Sequence, residues 1–243
     1  MRDGAKRVIL PAVSLHVRKL ECRMRRSELD HIVIACADLN DGIEWVAQHL
    51  GARPLAGGQH AAMGTHNALL KLGARAYLEV IAIDPDGVTP ARPRWFSLDE
   101  PEMQTLLAAG PRLLTWAVRC ESLANACARV PDLGEILTMN RGEFRWNIAV
   151  PDTGALAWGG VLPTAIQWLQ ADDGSAHHPC DVLEDSGCEL VRLQLSHPAA
   201  VLGNNGIVGM FRALKIMGPV DLAPGPKMLA ATIRTPRGEV VLS

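Results

Sequence analysis

Two apolar segments of the sequence each contain one side chain that can bind a metal ion or transfer a proton. His31 lies within residues 29–35, and Glu79 lies within residues 77–83. A carboxylate that is buried among apolar neighbours costs several kcal/mol unless it is paired, protonated or bound to a metal. We therefore expect Glu79 to lie in a polar pocket with partners of its own.

The sequence between these two segments carries three more polar side chains, His60, His66 and Asn67. Three protein ligands and one water form a catalytic metal arrangement, because the bound water is acidified and one position stays open to substrate. In the alternative interpretation, these side chains are hydrogen-bonded core groups, and Asp30 fixes the tautomer of the adjacent His31. Both interpretations remain open.

These side chains are positioned by a repeating order of strands and helices. Residues 29–83 predict one strand, one helix and three further strands, and the same order recurs over residues 113–169 and 188–242. The predicted strands are 29–36, 52–56, 66–72, 76–83, 113–120, 135–139, 144–149, 164–169, 188–196, 219–223, 228–234 and 238–242. The predicted helices are 40–50, 122–129 and 199–217, with a further helical turn at 103–109. The fold class is therefore α+β, with repeated βαβββ modules.

Four pieces of sequence carry a resemblance to a known superfamily. They are DHIVIA in the first strand, a helix that ends at Leu50-Gly51, the GTHN motif at residues 64–67, and YLEVIAID in the fourth strand. In this order they resemble the glyoxalase-like domain branch of the vicinal oxygen chelate superfamily. The resemblance implies a cupped mixed sheet made by two modules, with a pocket between facing strands.

The domain organisation follows from the same resemblance. Residues 29–175 are expected to form the glyoxalase-like domain, and residues 188–243 are expected to form a third, C-terminal βαβββ half-module. Residues 1–28 are expected to be an N-terminal arm, which is either disordered or partly upstream of a natural start at Met24.

The resemblance also implies where metal ligands would lie, namely on the first and fourth strands of each module. In the first module these ligands would be His31 and Glu79. Internal alignment puts Thr115 and Gln167 at the corresponding positions of the second module, and neutral oxygens are poor ligands for transition metals. The four-ligand site of metal-dependent members is therefore at best half present.

Two functions are compatible with this pattern, because the superfamily hosts several reactions and also metal-free binding proteins. The first is a small-molecule enzyme, of lyase or isomerase or dioxygenase-like type, acting on a compact oxygen-bearing substrate. The second is a metal-free protein that binds or sequesters a small molecule in the same pocket.

Each candidate residue has a role in the enzyme hypothesis. Glu79 and His66 are the catalytic candidates, and His31 with Glu79 would hold a divalent ion such as Zn, Mn, Ni or Fe, if one is bound. The remaining candidates would contact substrate: Asn67, His60, Thr115, Gln167 and Trp168. An inward-facing arginine among Arg119, Arg141 and Arg145 would bind a carboxylate or phosphate through two hydrogen bonds.

Composition limits the partners that the protein is expected to have. The chain has 243 residues and a formal net charge of −2, so it lacks the basic surface of a nucleic-acid-binding protein. Its apolar stretches are well short of the ~20 residues that a membrane span needs. We therefore expect a cytoplasmic protein with a small-molecule ligand.

The third unit raises the question of assembly. A half-sheet with strands as apolar as residues 228–233 exposes a hydrophobic inner face unless another surface packs there. The first domain and a second copy of the chain are both candidates, and the second would give a two-fold homodimer.

Overall fold

The computed structural model describes residues 26–170, 178–201 and 206–243. Its first module consists of β1 (Ser27–Ala35), α1 (Leu39–Leu50), β2 (Leu55–His60), β3 (Thr65–Lys71) and β4 (Tyr77–Ile83). Helix α1 begins after Asp38, whose carboxylate accepts hydrogen bonds from the backbone N–H groups of Asn40 and Asp41, and ends at Gly51 in the left-handed region, with φ of 69°.

The second module repeats this order after a connecting segment. It consists of β5 (Arg112–Arg119), α3 (Leu123–Arg129), β6 (Glu135–Arg141), β7 (Phe144–Val150) and β8 (Thr164–Trp168). The connecting segment contains a 3₁₀ turn at Trp95–Ser97 and helix α2 (Pro101–Ala108). Both modules therefore confirm the predicted α+β class.

The two modules share one curved mixed sheet with the strand order β2-β3-β4-β1-β5-β8-β7-β6. Within each module the first strand runs parallel to the fourth, which pairs β1 with β4 and β5 with β8. Strands β1 and β5 are antiparallel and join the modules. The first and fourth strands of both modules thus lie side by side at the centre of the sheet, where their side chains can meet.

Each face of the sheet has its own apolar core. The outer face carries Ile32 and Val80 and is covered by α1 and α3 through residues such as Val46 and Leu123. The inner, concave face is covered by the connecting segment, which contributes Trp95, Phe96, Leu98, Met103 and Leu107. Because this segment fills most of the concave face, only a narrow space remains there.

The third unit consists of β9 (Glu189–His197), α5 (Ile207–Leu214), β10 (Ile216–Met217), β11 (Val220–Pro224), β12 (Met228–Thr235) and β13 (Gly238–Leu242). Its sheet has the order β11-β9-β12-β13, and β9 is parallel to β11. The element order matches the predicted one except for the added short strand β10, which pairs with β1. The pairing differs from the other modules, in which the first strand is parallel to the fourth.

The hydrophobic face of the third unit packs against the glyoxalase-like domain of the same chain. Leu193, Leu229 and Ile233 belong to the same outer core as Trp116, and the Phe211 and Trp116 rings lie 5.9 Å apart. Of the two surfaces that were candidates to cover this face, the first domain of the same chain is the one that packs there. A homodimer is not needed for this purpose.

The boundaries of the third unit's helix differ from the predicted range of 199–217. Helix α5 covers Ile207–Leu214, Ile216 belongs to a short strand that pairs with β1, and Val201 is 60% exposed. Residues 202–205, most of residues 1–28 and residues 171–177 lie outside the described part of the chain, although Ser27 and Glu28 belong to β1. No helix among the described residues is long and apolar enough to cross a membrane.

Candidate active site

A cavity lies on the concave side of the sheet, between the two modules and beneath the Trp95–Ser97 turn. Its polar wall consists of His31, His60, Tyr77, Glu79 and Arg141. Its apolar wall consists of Trp95, Phe96, Trp146, Ile148, Ile166 and Trp168. The space that the centre of a water molecule can reach is about 30 Å³, so the cavity fits a compact group of a few atoms.

Glu79 lies between two imidazole rings in this cavity. One of its oxygens is 3.7 Å from Nε2 of His31, and the other is 4.0 Å from Nε2 of His60. The residue is only 7% exposed, and Asn67 donates a hydrogen bond from Nδ2 to Oε1. Strand alternation explains the location, because Tyr77, Glu79 and Ile81 share the inner face of β4. The carboxylate therefore has the partners that its burial requires.

His31 is held in place by Asp30, a fully buried carboxylate at an irregular position of β1. Nδ1 of His31 lies 2.7 Å from Oδ1 of Asp30, which leaves Nε2 directed toward Glu79. The other oxygen of Asp30 accepts from Nε1 of Trp168 at 3.0 Å and from Nε2 of His178 at 3.1 Å. Burial raises the pKa of Asp30, but the hydrogen bonds from His178 and His31 outweigh it and hold the pKa well below the usual range. Asp30 is thus an ionised anchor for three rings.

His60 is buried against the Trp95 ring and is neutral at physiological pH. Burial is the main cause, and it lowers the pKa of His60 to about 4 although the charge of Glu79 acts in the opposite direction. Nδ1 of His60 lies 3.0 Å from the hydroxyl of Thr65. Nε2 of His60 lies 3.4 Å from Nδ2 of Asn67, and because an amide nitrogen only donates, Nε2 accepts this hydrogen bond and Nδ1 carries the ring proton toward Thr65.

The structure brings together some of the predicted site residues and separates others. His31, His60, Glu79 and Trp168 line the cavity, and Asn67 contacts Glu79. His66 lies on the opposite face of β3, since it alternates with Asn67, and its Nδ1 is 3.9 Å from Asp84. The expectation that His66 shares a cavity with His31 and Glu79 is therefore wrong. His60 occupies that place instead.

The two candidates from the second module also lie elsewhere. Thr115 is buried beside an irregularity in β5 and donates to the carbonyl of Gly160 at 3.2 Å. Gln167 accepts from the backbone N–H of Leu123 at 3.0 Å and so caps α3 on the outer face. The internal alignment placed β8 one residue out of step, because Ile166 and Trp168 are the residues that face the cavity. Neither Thr115 nor Gln167 lines it.

Three contributors to the site were not assigned from sequence: Trp95, Arg141 and His178. The contact of Asp30 with His31 was part of one of the two interpretations. Arg141 was one of three inward-facing candidates, and the sequence holds no signal that separates it from Arg119 and Arg145. His178 lies in a polar linker, where exposure is the ordinary expectation, yet it reaches Asp30 from 148 residues away. Long-range contacts of this kind depend on strand order, which the local pattern does not reveal.

The donor set does not fit the four-ligand centre of metal-dependent superfamily members. Among residues 26–170, 178–201 and 206–243, no group of three or more His, Cys, Asp or Glu side chains is placed to hold a metal ion. The wall from the second module offers Ile148, Ile166 and Trp168, which supply no ligand atoms, and the Asn67 amide already donates to Glu79. The expected ligands His31 and Glu79 are present, but they lack counterparts across the cavity.

Comparison with known families agrees with the fold. Residues 29–202 match the family model described as a glyoxalase-like domain. The chain therefore belongs to the glyoxalase-like domain family, as the sequence resemblance indicated. No curated protein matches the chain.

Solved structures with a similar fold include proteins with and without a known activity. A hypothetical protein from Staphylococcus aureus has a TM-score of 0.53 and 11% identity, and the match covers 84% of this chain and 88% of that one. Methylmalonyl-CoA epimerase from Mycobacterium tuberculosis has a TM-score of 0.37 and 22% identity, covering 58% of this chain and 85% of the other. A methylmalonyl-CoA epimerase in complex with methylmalonyl-CoA and NH4+ has a TM-score of 0.39 and 17% identity, and the match covers 63% of this chain and 100% of the other.

Proposed function

We propose that the protein is an acid–base enzyme in which Glu79 removes a proton from a carbon atom next to a carbonyl group of a compact substrate. The observation that carries this proposal is the position of Glu79, buried at the cavity wall with an imidazole Nε2 within 4.0 Å of each oxygen. A carboxylate held in this way is a typical general base. Return of the proton to the opposite face of the same carbon, or to a neighbouring carbon, completes an isomerisation.

The two histidines have different roles in this proposal. As Glu79 takes the proton, the electron pair moves onto the carbonyl oxygen, where negative charge develops. Arg141, on the same cavity wall, offsets that charge. Neutral His60, with a pKa of about 4, accepts from Asn67 through Nε2 and so holds the amide that donates to Glu79. His31, fixed by Asp30, carries the proton between Glu79 and the substrate.

The test of this function is exchange of substrate hydrogen with solvent. A panel of small 2-hydroxy and 2-oxo carbonyl compounds is incubated with the protein in D₂O, and proton NMR follows the loss of the signal beside the carbonyl. Enzyme-dependent deuterium incorporation into one or more compounds supports the proposal. Absence of exchange across the panel, with folded protein, contradicts it for this substrate class.

A metal-free binding protein is the second candidate, and the apolar wall of the second module favours it. Ile166 and Trp168 face the cavity from β8, the fourth strand of the second module, where the resemblance would place a metal ligand, and neither supplies one. In that case a panel compound saturates the cavity, with quenching of tryptophan fluorescence, while its hydrogens do not exchange. Binding without exchange is the result that selects this candidate.

The proposed chemistry runs on protein groups alone, since the donor set lacks the second pair of ligands. Dialysis of the protein against EDTA is therefore expected to leave the exchange rate unchanged within a factor of about two, as measured by NMR. Loss of exchange on EDTA treatment, with recovery on adding Zn, Mn, Ni or Fe, would instead make His31 and Glu79 ligands of a divalent ion.

A further inference from the structure

Arg141 reaches across the cavity from the second module to the first. It lies at the end of β6, and its Nη1 donates to Oδ1 of Asn67 at 2.9 Å. Its guanidinium carbon lies 5.6 Å from the centre of the Phe144 ring. A guanidinium over an aromatic face is held flat and presents its remaining N–H groups in a fixed plane.

Two glycines of β2 make room for this arrangement. A Cβ atom at Gly58 would lie 2.9 Å from Cδ of Arg141, and a Cβ atom at Gly57 would collide with Oδ1 of Asn67. The pair Gly57-Gly58 therefore allows both side chains to lie directly against the backbone of β2. A larger residue at either position would push Arg141 or Asn67 away from the cavity.

Trp95 adds a second observation, a buried donor on the wall that this cavity shares with a neighbouring cavity beside Thr115 and Leu156. Its side chain lines the cavity, the residue is 3% exposed, and its indole N–H has no hydrogen-bond partner among the described residues. A buried donor without a partner costs free energy comparable to a lost hydrogen bond. A bound ligand with an oxygen acceptor would remove that cost.

We propose that the cavity contains a carboxylate-binding subsite formed by Arg141, with Trp95 as a second donor. The substrate is then a small carboxylic acid whose carboxylate lies one or two bonds from the C–H group that faces Glu79. This assignment of substrate class rests on the proposed function, whereas the anion site itself does not. The Asn67 amide fixes the relation between the two groups, because it donates to Glu79 and accepts from Arg141.

The shape of the cavity favours a carboxylate over a phosphate. A carboxylate is planar and pairs with one guanidinium through two parallel hydrogen bonds. The cavity is narrow, at about 30 Å³ for water centres, and aromatic rings form much of its wall. A tetrahedral phosphate dianion places its oxygens outside one plane and needs more donors than one arginine and one indole provide.

Binding of oxamate tests the subsite without requiring turnover, because oxamate has no C–H bond that Glu79 could attack. Oxamide is the matched neutral probe, since it replaces the carboxylate by an amide and keeps the size. Titration is followed by tryptophan fluorescence in a buffer without carboxylate or phosphate. We expect oxamate to bind at least 10-fold more tightly than oxamide and than inorganic phosphate.

Variants then assign the binding to particular residues. Arg141→Gln is expected to weaken oxamate at least 10-fold, and Trp95→Phe, which keeps the ring and removes the donor, is expected to weaken it about 3-fold to 10-fold. Arg145→Gln is the matched control, because it removes the same charge from an exposed position on β7 and is expected to leave binding unchanged. If Arg141→Gln fails to fold, Arg141→Lys and Trp95→Phe still test the site.

Three results would overturn the subsite: equal binding of oxamate and oxamide, phosphate binding as tight as oxamate binding, or equal losses in the Arg141→Gln and Arg145→Gln proteins. Failure of the proposed function looks different. Glu79→Gln then binds oxamate as tightly as the wild-type protein, and no carboxylic acid in the deuterium panel exchanges. The subsite would stand in that case as part of a binding protein.

Discussion

At the scale of single residues, the site depends on how a buried charge is stabilised. Asp30 is fully buried and accepts hydrogen bonds from His31, Trp168 and His178. These contacts join the first strand to the last strand of the second module and to the start of α4 (Pro179–Val182). One carboxylate thus sets the orientation of His31 and the position of the cavity wall.

Replacing Asp30 with Asn is expected to destabilise the fold by about 3 kcal/mol, because an amide presents N–H groups to donors that require an acceptor. Urea unfolding at pH 7 measures this loss. Asp221→Asn is the control, since Asp221 forms an exposed ion pair with Arg192, and such pairs contribute about 0–1 kcal/mol. Equal losses in the two variants would show that Asp30 is not the anchor.

The neutral state of His60 predicts how stability depends on pH. The folded protein holds the pKa at about 4, whereas the unfolded chain has a pKa of 6.5, so the unfolded state binds more protons between these values. Stability is therefore complete above pH 6.5 and falls by roughly 1–3 kcal/mol from this residue as the pH drops to 4.

The His60→Gln protein should lose this part of the pH dependence, as measured by urea unfolding at pH 7 and pH 4.5. His49→Gln provides the control, because His49 is exposed on α1 and should leave the pH dependence intact. An identical pH dependence in wild-type and His60→Gln proteins would show that His60 is not buried in its neutral form.

At the scale of elements, the sequence predicts the order of elements in each module better than it predicts which face of the sheet a side chain lies on. Hydrophobic periodicity and turn residues predicted the order of strands and helices in both modules, because these signals are local. Strand β2, however, begins three residues later than predicted and covers Leu55–His60. The placement of Gln167 failed since a one-residue error in aligning a strand reverses the face of every side chain. The sequence did not predict the irregularity in β5 beside Thr115, because that irregularity depends on how β5 pairs with β1.

The candidate site shows the same division between local and long-range information. His31 and Glu79 were found because each polar group interrupts an apolar strand. Arg141 and His178 could not be assigned, because their roles depend on which distant strands become neighbours. His66 was the catalytic candidate and His60 a substrate contact, but the alternation of β3 puts His66 on the opposite face, whereas His60 on β2 lies beside Glu79.

The third unit is expected to unfold together with the glyoxalase-like domain, since both contribute to the outer core. Ile233→Ala removes a fully buried side chain of β12 and should lower stability by about 2–5 kcal/mol in a single transition. Val241→Ala is the control on the neighbouring β13, because Val241 is 60% exposed. Two separate transitions in urea would show that the third unit folds independently.

At the scale of the whole molecule, the glyoxalase-like domain covers the apolar face of the third unit. The argument for a homodimer was an open face on the third unit, and that face lies against Trp116 and its neighbours. Light scattering of the full-length protein is therefore expected to give the monomer mass of 26.2 kDa. A mass near twice this value would require a different contact surface.

Removal of the third unit tests the same contact between this unit and the glyoxalase-like domain. A chain that ends near Asp185 exposes the part of the outer core that Leu193, Leu229 and Ile233 cover. We expect this protein to aggregate or to bind hydrophobic dyes, because a large apolar surface is left open. A soluble, stable and active truncated domain would contradict the structural role that we assign to the third unit.

The central claim is that the Glu79 carboxylate is the base of a proton-transfer reaction. The most direct measurement compares the rate of deuterium exchange into a substrate from the panel for the wild-type, Glu79→Gln and Glu239→Gln proteins. The account predicts a loss of about 10²–10⁴-fold for Glu79→Gln and no change for Glu239→Gln, whose side chain is exposed on β13. Exchange at the wild-type rate in a folded Glu79→Gln protein would contradict the claim.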